Sequence, residues 1–152
     1  MTSINTGRVI TGGLVAGAVA NVVDFVTNNY VLAADWQAWA AAHNIDPAAF
    51  TAAPVAVMWV LVDFAFGLLL VWTYAAMRPR FGPGVQTAVF AGLVIYLAPT
   101  LVLAGFTVMG LLSTALFVEG SCAAAVSTFG GAIAGAALYK EEAPGGKPAY
   151  AR

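Results

Sequence analysis

Charge is scarce in this chain. Of its 152 residues only six are Lys or Arg and seven Asp or Glu, 9% together, while 61% are hydrophobic. Soluble domains carry about 25% charged residues, and a water-facing surface cannot be built from so few. That excludes an ordinary soluble enzyme, a disordered chain and a nucleic-acid binder, which needs a basic face. Cysteine is almost absent too. One Cys permits no intrachain disulfide framework, CxxC pair or Cys-rich zinc site, and a single His gives it no help. P-loop, GxGxxG, HExxH and GxSxG patterns are all missing. No enzyme, metal or cofactor is therefore expected.

What is present is long apolar sequence. Crossing about 30 Å of hydrocarbon takes about 20 apolar residues, and four stretches qualify: 9–31, 54–77, 85–105 and 113–139. The first imitates a signal peptide, with Arg8, an apolar run and Ala18-Val19-Ala20. Its apolar run continues to Ala34, past the supposed cut, so an uncleaved span is expected. Residues 105–112 are read as a tight, buried hairpin between the last two spans.

The basic residues then orient the chain. Arg8, Arg78, Arg80, Lys140, Lys147 and Arg152 all fall on one side of a four-span arrangement, and the 32–53 loop has none. Short basic loops stay cytoplasmic, which places both termini there. Residues 1–140 make one transmembrane domain and 141–152 a flexible cytoplasmic tail. In 78–84 prolines and glycines stop one helix and turn the chain.

The external loop reads as an interfacial helix. Asp35 caps a segment in which Trp36, Trp39, Ala40 and His43 share one side, Asn44 stops it, and Asp46-Pro47 opens a further turn. Trp36 and Trp39 are expected to anchor it among headgroups; the other reading is a lid over an external opening. His43, without a second His or a nearby Cys, is not expected to bind metal or haem.

Carboxylates inside the spans are the informative polar residues. At 1.5 Å per residue, Asp24 lies about 10 Å inward from Val31, Asp63 about 14 Å from Pro54 and Glu119 about 9 Å from Ser113. Pro99 and Thr100 fall about 9 Å from Gly105 by the same rise. The expectation is one buried polar layer beneath the external leaflet. On the first helix Gly13, Gly17, Asn21, Asp24 and Asn28 fall within about an 80° sector. Glu119, Ala123, Gly130 and Ala134 share a sector on the last helix, as do Asp63, Gly67 and Tyr74 on the second. Small residues let helix backbones meet, so Gly13, Gly17, Ala123, Gly130 and Ala134 are expected at helix contacts, turning each acid toward protein. Pro99 frees the Ile95 carbonyl at the same depth. Cys122 is expected as a small buried packing residue.

A charged Asp at mid-span costs roughly 2.5–3.5 kcal/mol, and keeping it neutral at pH 7 costs about 4 kcal/mol. Both forms are therefore accessible. In one reading the protonated acids bond to Asn21, Asn28, Ser121 and the Ile95 carbonyl and fix helix register. In the other, Asn21, Asp24, Asn28, Asp63, Thr100 and Glu119 form a proton or cation site opening outward.

Four pieces of sequence carry a resemblance. They are Gly12-Gly13-Leu14-Val15-Ala16-Gly17; Asn21-x-x-Asp24-Phe25-Val26-x-Asn28; Val71-Trp72-x-Tyr74-Ala75-Ala76-x-Arg78-Pro79-Arg80-Phe81-Gly82; and Gly135-Ala136-x-Leu138-Tyr139-Lys140-Glu141. In these the chain resembles a family of short, four-span bacterial inner-membrane proteins of unknown function. The resemblance implies topology and no activity.

The expectation is thus an all-α, polytopic, four-transmembrane-helix up-down bundle with an interfacial helix in its first external loop. It would be a small non-enzymatic protein of a bacterial inner membrane, structural or accessory. Its partners are the lipid bilayer and, through its Gly/Ala faces, further copies or other membrane subunits. The alternative is a small proton- or cation-coupled transporter or channel.

Overall fold

The computed structural model describes residues 4–140, Phe50 by its backbone alone; the expected tail falls outside the described residues. All regular structure among them is helical.

Helix α1 (Thr6–Val26) begins at Asn5, whose side chain accepts from the Arg8 amide at 3.1 Å. The cap satisfies one of the amides a helix start leaves over. The other end of α1 widens into a π-turn, Thr27–Val31. Two asparagines account for it. The side-chain amides of Asn28 and Asn29 donate to the Asp24 and Phe25 carbonyls at 2.9 and 2.8 Å. There they compete with the backbone. The Leu32 amide then reaches five residues back, to the Thr27 carbonyl at 2.8 Å.

Two short helices, α2 (Ala33–Ala42) and α3 (Ala48–Thr51), form the loop beyond α1. Asn44 stops α2 with a left-handed φ of 55°, a conformation asparagine tolerates. Asp46 accepts from the Ala48 amide at 2.9 Å and opens the next turn.

Helix α4 (Ala53–Phe81) runs through Pro79, past the stop expected there, and ends at Gly82, whose φ is 82°. In the last turn a proline removes a single helical bond, so the positive-φ glycine is the true terminator. Helix α5 (Val85–Val108) likewise continues through Pro99 and outruns its expected end. It closes on Gly110 (φ 76°), with the Leu111 amide on the Phe106 carbonyl and the Gly110 amide on that of Thr107. This pair of bonds is the Schellman ending that a left-handed glycine permits. Met109 and Leu111 are exposed there, so the hairpin is tight but not buried as expected. Helix α6 (Thr114–Leu138) starts at Ser113, whose hydroxyl accepts from the Leu116 amide at 3.2 Å.

The four long helices are each long and apolar enough to cross a membrane. They form a bundle in which α1 and α5 stand at opposite corners, each against both α4 and α6, and α4 and α6 also touch. Gly13 faces Leu68 and Gly17 faces Phe64, while Gly12 faces Gly135 and Ala16 faces Gly131. Residue numbers rise on one helix as they fall on its neighbour, so α1 is antiparallel to both α4 and α6. Lipid offers no hydrophobic drive between helices, and close van der Waals approach has to supply it. Glycine makes that approach possible. A methyl group on Gly12 would sit 2.6 Å from the Gly135 carbonyl oxygen, and one on Gly13 2.7 Å from the Leu68 Cα.

The core these contacts enclose includes Ala16, Val71, Tyr74, Ala88, Ala91 and Ala132. It lies entirely in the half of the bundle that holds both ends of the described chain, here termed the base. Thr87, also buried there, donates from Oγ1 to the Gly82 carbonyl at 2.7 Å. Among the described residues the far half, under α2, has no comparable core; there Leu32, Ala40 and Leu116 are buried.

Candidate functional site

The α1 face that carries the glycines continues into the acids. Asn21 follows Gly17 by one helical turn, and its amide donates to the Gly17 carbonyl at 2.9 Å and across the gap to the Val60 carbonyl of α4 at 3.4 Å. Beside this bridge the carboxyl groups of Asp24 (α1) and Asp63 (α4) come within hydrogen-bond reach of one another. Both are half-buried. Antiparallel geometry brings them together: each Cβ leans toward the start of its own helix, so the two side chains lean toward each other. A bond between two carboxyl groups requires one proton between them. No Lys or Arg occurs from residue 9 to residue 77, so no basic side chain of α1 or α4 enters at this depth.

The rest of the expected layer is dispersed. Asn28 turns to the loop: its Oδ1 accepts from Trp36 Nε1 at 2.9 Å while its amide holds the Asp24 carbonyl. Thr100 folds back on its own helix, donating to the Tyr96 carbonyl at 2.7 Å. Ser121 keeps a buried hydroxyl with no hydrogen-bond partner among the described residues. Asn21 and Asn28 thus bond to backbone and tryptophan, and not to the acids as the register reading expected.

Glu119 departs most. It is exposed, on the outward side of α6 with Val118, Val126 and Ile133, and lies beyond the level of Asp24, since the neighbouring Gly120 is opposite Leu32. The side of α6 that meets the bundle carries Ser127, Gly131, Ala132, Gly135 and Ala136, so the expected packing positions are displaced from it. Gly130 is exposed, and Ala123 and Ala134 are half-buried. The physical reason is that α6 has Gly or Ala on nearly every side, so smallness does not single out a face. Cys122 is also exposed, against its expected burial. Gly13 and Gly17, by contrast, lie in the α1–α4 contact.

The tryptophans are attached to protein. Trp39 Nε1 donates to the Leu111 carbonyl of the α5–α6 turn at 2.7 Å, and Trp36 to Asn28. His43 stacks on Trp39 with ring centroids 4.3 Å apart. Helix α2 is thereby fastened across the far end of the bundle. Among the described residues no three His, Cys, Asp or Glu side chains come together as metal ligands would.

A cluster at the base went unread in the sequence. Tyr74 and Tyr139, both buried, meet edge to face at 5.9 Å. The Arg78 guanidinium carbon lies 5.9 and 5.3 Å from their ring centroids, a cation–π distance. The Tyr139 hydroxyl accepts from the Asn5 amide at 3.3 Å and the Tyr74 hydroxyl from the Gly84 amide at 3.2 Å. The start of α1, the α4–α5 loop and the end of α6 are clasped together. Its one legible trace was Tyr74 and Arg78 four residues apart on a single helix face.

No family model, curated protein or solved structure matches this chain.

Proposed function

We propose that the chain is a small non-enzymatic membrane protein of a bacterial inner membrane, structural or accessory, acting by self-association or within a larger membrane complex. The observation that carries this reading is the glycine-backed base. There α1 lies directly on α4 and α6, with Val71 and Ala88 fully buried between helices. Such packing suits a rigid platform. Both ends face the cytoplasm on this reading, because Arg8, Arg78, Arg80 and Lys140 gather at the base. The Asp24–Asp63 pair then acts as a register pin between α1 and α4, beside the Asn21 bridge. The resemblance to short four-span bacterial proteins fits the same picture.

One observation favours a second reading. Two carboxyl groups within hydrogen-bond reach, inside spans, are usual hardware for holding a proton or cation. Asp24→Asn and Asp63→Asn separate the two. Each keeps a hydrogen bond through its amide, so the platform reading expects unchanged assembly on native mass spectrometry and unchanged flux in proteoliposomes containing a pH-sensitive dye. Loss of pH- or cation-dependent flux with the fold intact would overturn it in favour of transport.

A further inference from the structure

A groove opens at the base between the start of α1 and the middle of α4. Ile4, Thr6 and Val9 border it on one side, and Leu68, Leu69 and Trp72 on the other. Its origin lies in the sequence of α1. Where α1 carries Gly13 and Gly17 it rests on α4 backbone. One and two turns toward the chain start, the same side carries Val9 and Thr6, whose side chains border open space instead. The groove holds about 450 Å³, within the range of about 300–1,000 Å³ common for small-molecule sites. Its lining is apolar except for the Thr6 hydroxyl, and Trp72 leaves 57% of its surface exposed.

Its width selects the occupant. Gly13 faces Leu68 on antiparallel helices, so Ile4 is level with Met77, and the groove runs about 14 Å along α4 from Leu68. That is close to the hydrocarbon depth of one leaflet, half of about 30 Å. Over this length 450 Å³ leaves a cross-section of about 30 Å², whereas a helix about 10 Å across takes about 80 Å². A partner helix is too thick. Carbon atoms pack about 4 Å apart, so such a section admits one extended hydrocarbon chain.

Charge selects its head. Leu69, Trp72, Ala76 and Arg80 fall within about an 80° sector of α4. The exposed Arg80 thus stands on the groove's side of the helix, about 12 Å beyond Trp72 toward the outer end of the base. Arg8, Arg78 and Lys140 gather at the same end, and no Asp or Glu occurs from residue 4 to 23 or from 64 to 118. An apolar furrow one leaflet deep, under a basic rim, matches a molecule with an acyl chain and an anionic head. We infer that the groove seats one acyl chain of an anionic phospholipid, with its phosphate on Arg80. The inference goes beyond the self-association reading and does not rest on it.

Native mass spectrometry of the full-length chain in mild detergent, given equimolar phosphatidylglycerol and phosphatidylcholine with the same acyl chains, tests this. One retained phosphatidylglycerol, favoured about fivefold over phosphatidylcholine, is the expected result. Arg80→Gln is expected to remove most of that preference. Leu69→Trp, which fills the groove, should lower retention of both lipids, and Leu101→Trp, on an exposed side in the far half, should change neither. Equal retention of the two lipids, untouched by Leu69→Trp, would overturn the proposal in favour of ordinary bilayer lipid. A preference that survives both Arg80→Gln and Leu69→Trp would overturn the groove as the seat. A lipid-free dimer lost in Leu69→Trp would overturn it in favour of a second copy. A second readout needs no change to the groove. With Trp36→Phe, Trp39→Phe and Trp59→Phe, Trp72 is the sole tryptophan. Chain-brominated phosphatidylglycerol is then expected to quench its fluorescence more strongly than chain-brominated phosphatidylcholine at equal mole fraction, and equal quenching would overturn the anionic preference.

Discussion

The base and the far half are made from the same four helices by opposite means. At the base, backbone lies on backbone: Val71, Ala88 and Ala91 are 0% exposed, and Gly67 fits between Gly13 and Gly17. In the far half the helices present large apolar side chains outward, with Val22 66% and Leu101 69% exposed. Its cohesion comes from polar bonds: Asn21 to Val60, Trp36 to Asn28, Trp39 to Leu111 and the Asp24–Asp63 pair. The contrast teaches where polar groups earn a place in a membrane bundle. At the base, glycine contact joins helix to helix while the Tyr74, Tyr139 and Thr87 bonds tie helix ends and loop; in the far half, polar bonds such as Asn21 to Val60 join the helices themselves.

The sharpest way to break this contrast is Gly67→Leu. The added side chain meets the Gly13 carbonyl and the Gly17 amide, backbone that cannot give way, so a loss of about 3 kcal/mol or more is expected. Thermal unfolding in detergent followed by circular dichroism should find no folded bundle. Next in size is Asp63→Leu, which leaves the Asp24 carboxyl half-buried without its partner; about 1–3 kcal/mol is expected, read as a lowered melting temperature. Its companion Asp63→Asn should recover most of the loss. Trp39→Phe keeps the ring but removes the bond to the Leu111 carbonyl, worth about 1 kcal/mol. The effect should be local, with faster hydrogen exchange in α2 and an unchanged base. Least of all is Gly120→Ala in the far half, where the nearest heavy atom to the added methyl is Leu32 Cδ1 at 4.0 Å. A change within about 0.5 kcal/mol is expected, and a base-like collapse there would abolish the distinction between the halves.

The sequence carried the spans plainly, because uninterrupted apolar runs of this length have few other uses. It also carried the working face of α1: Gly13, Gly17, Asn21 and Asp24 recur at helical spacing among larger residues, so polarity and size change together. Helix α6 gave no such contrast. Its contact side, Gly131, Ala132, Gly135 and Ala136, shares its small residues with the exposed side, which carries Gly130 and Ala137 beside Val126 and Ile133, so smallness does not mark the contact. Asn28 looked like a member of the acid layer because its true partner, Trp36, sits on a different element of unknown placement. The tyrosine clasp was hidden for a related reason. Tyr139 lies at the last span's edge, where an aromatic ring ordinarily signals a headgroup anchor, and its bond to Asn5 joins residues 134 positions apart.

That last separation bears on how the molecule comes to be made. A chain leaves the ribosome from its first residue onward, so α1 reaches the membrane long before either Tyr139 or the Gly131–Gly135 groove that receives it. Until then the first helix can lean only on α4, with one flank open to lipid. Assembly of the bundle therefore waits for α6, and a chain stopped before that helix would carry three long helices and an unfastened beginning.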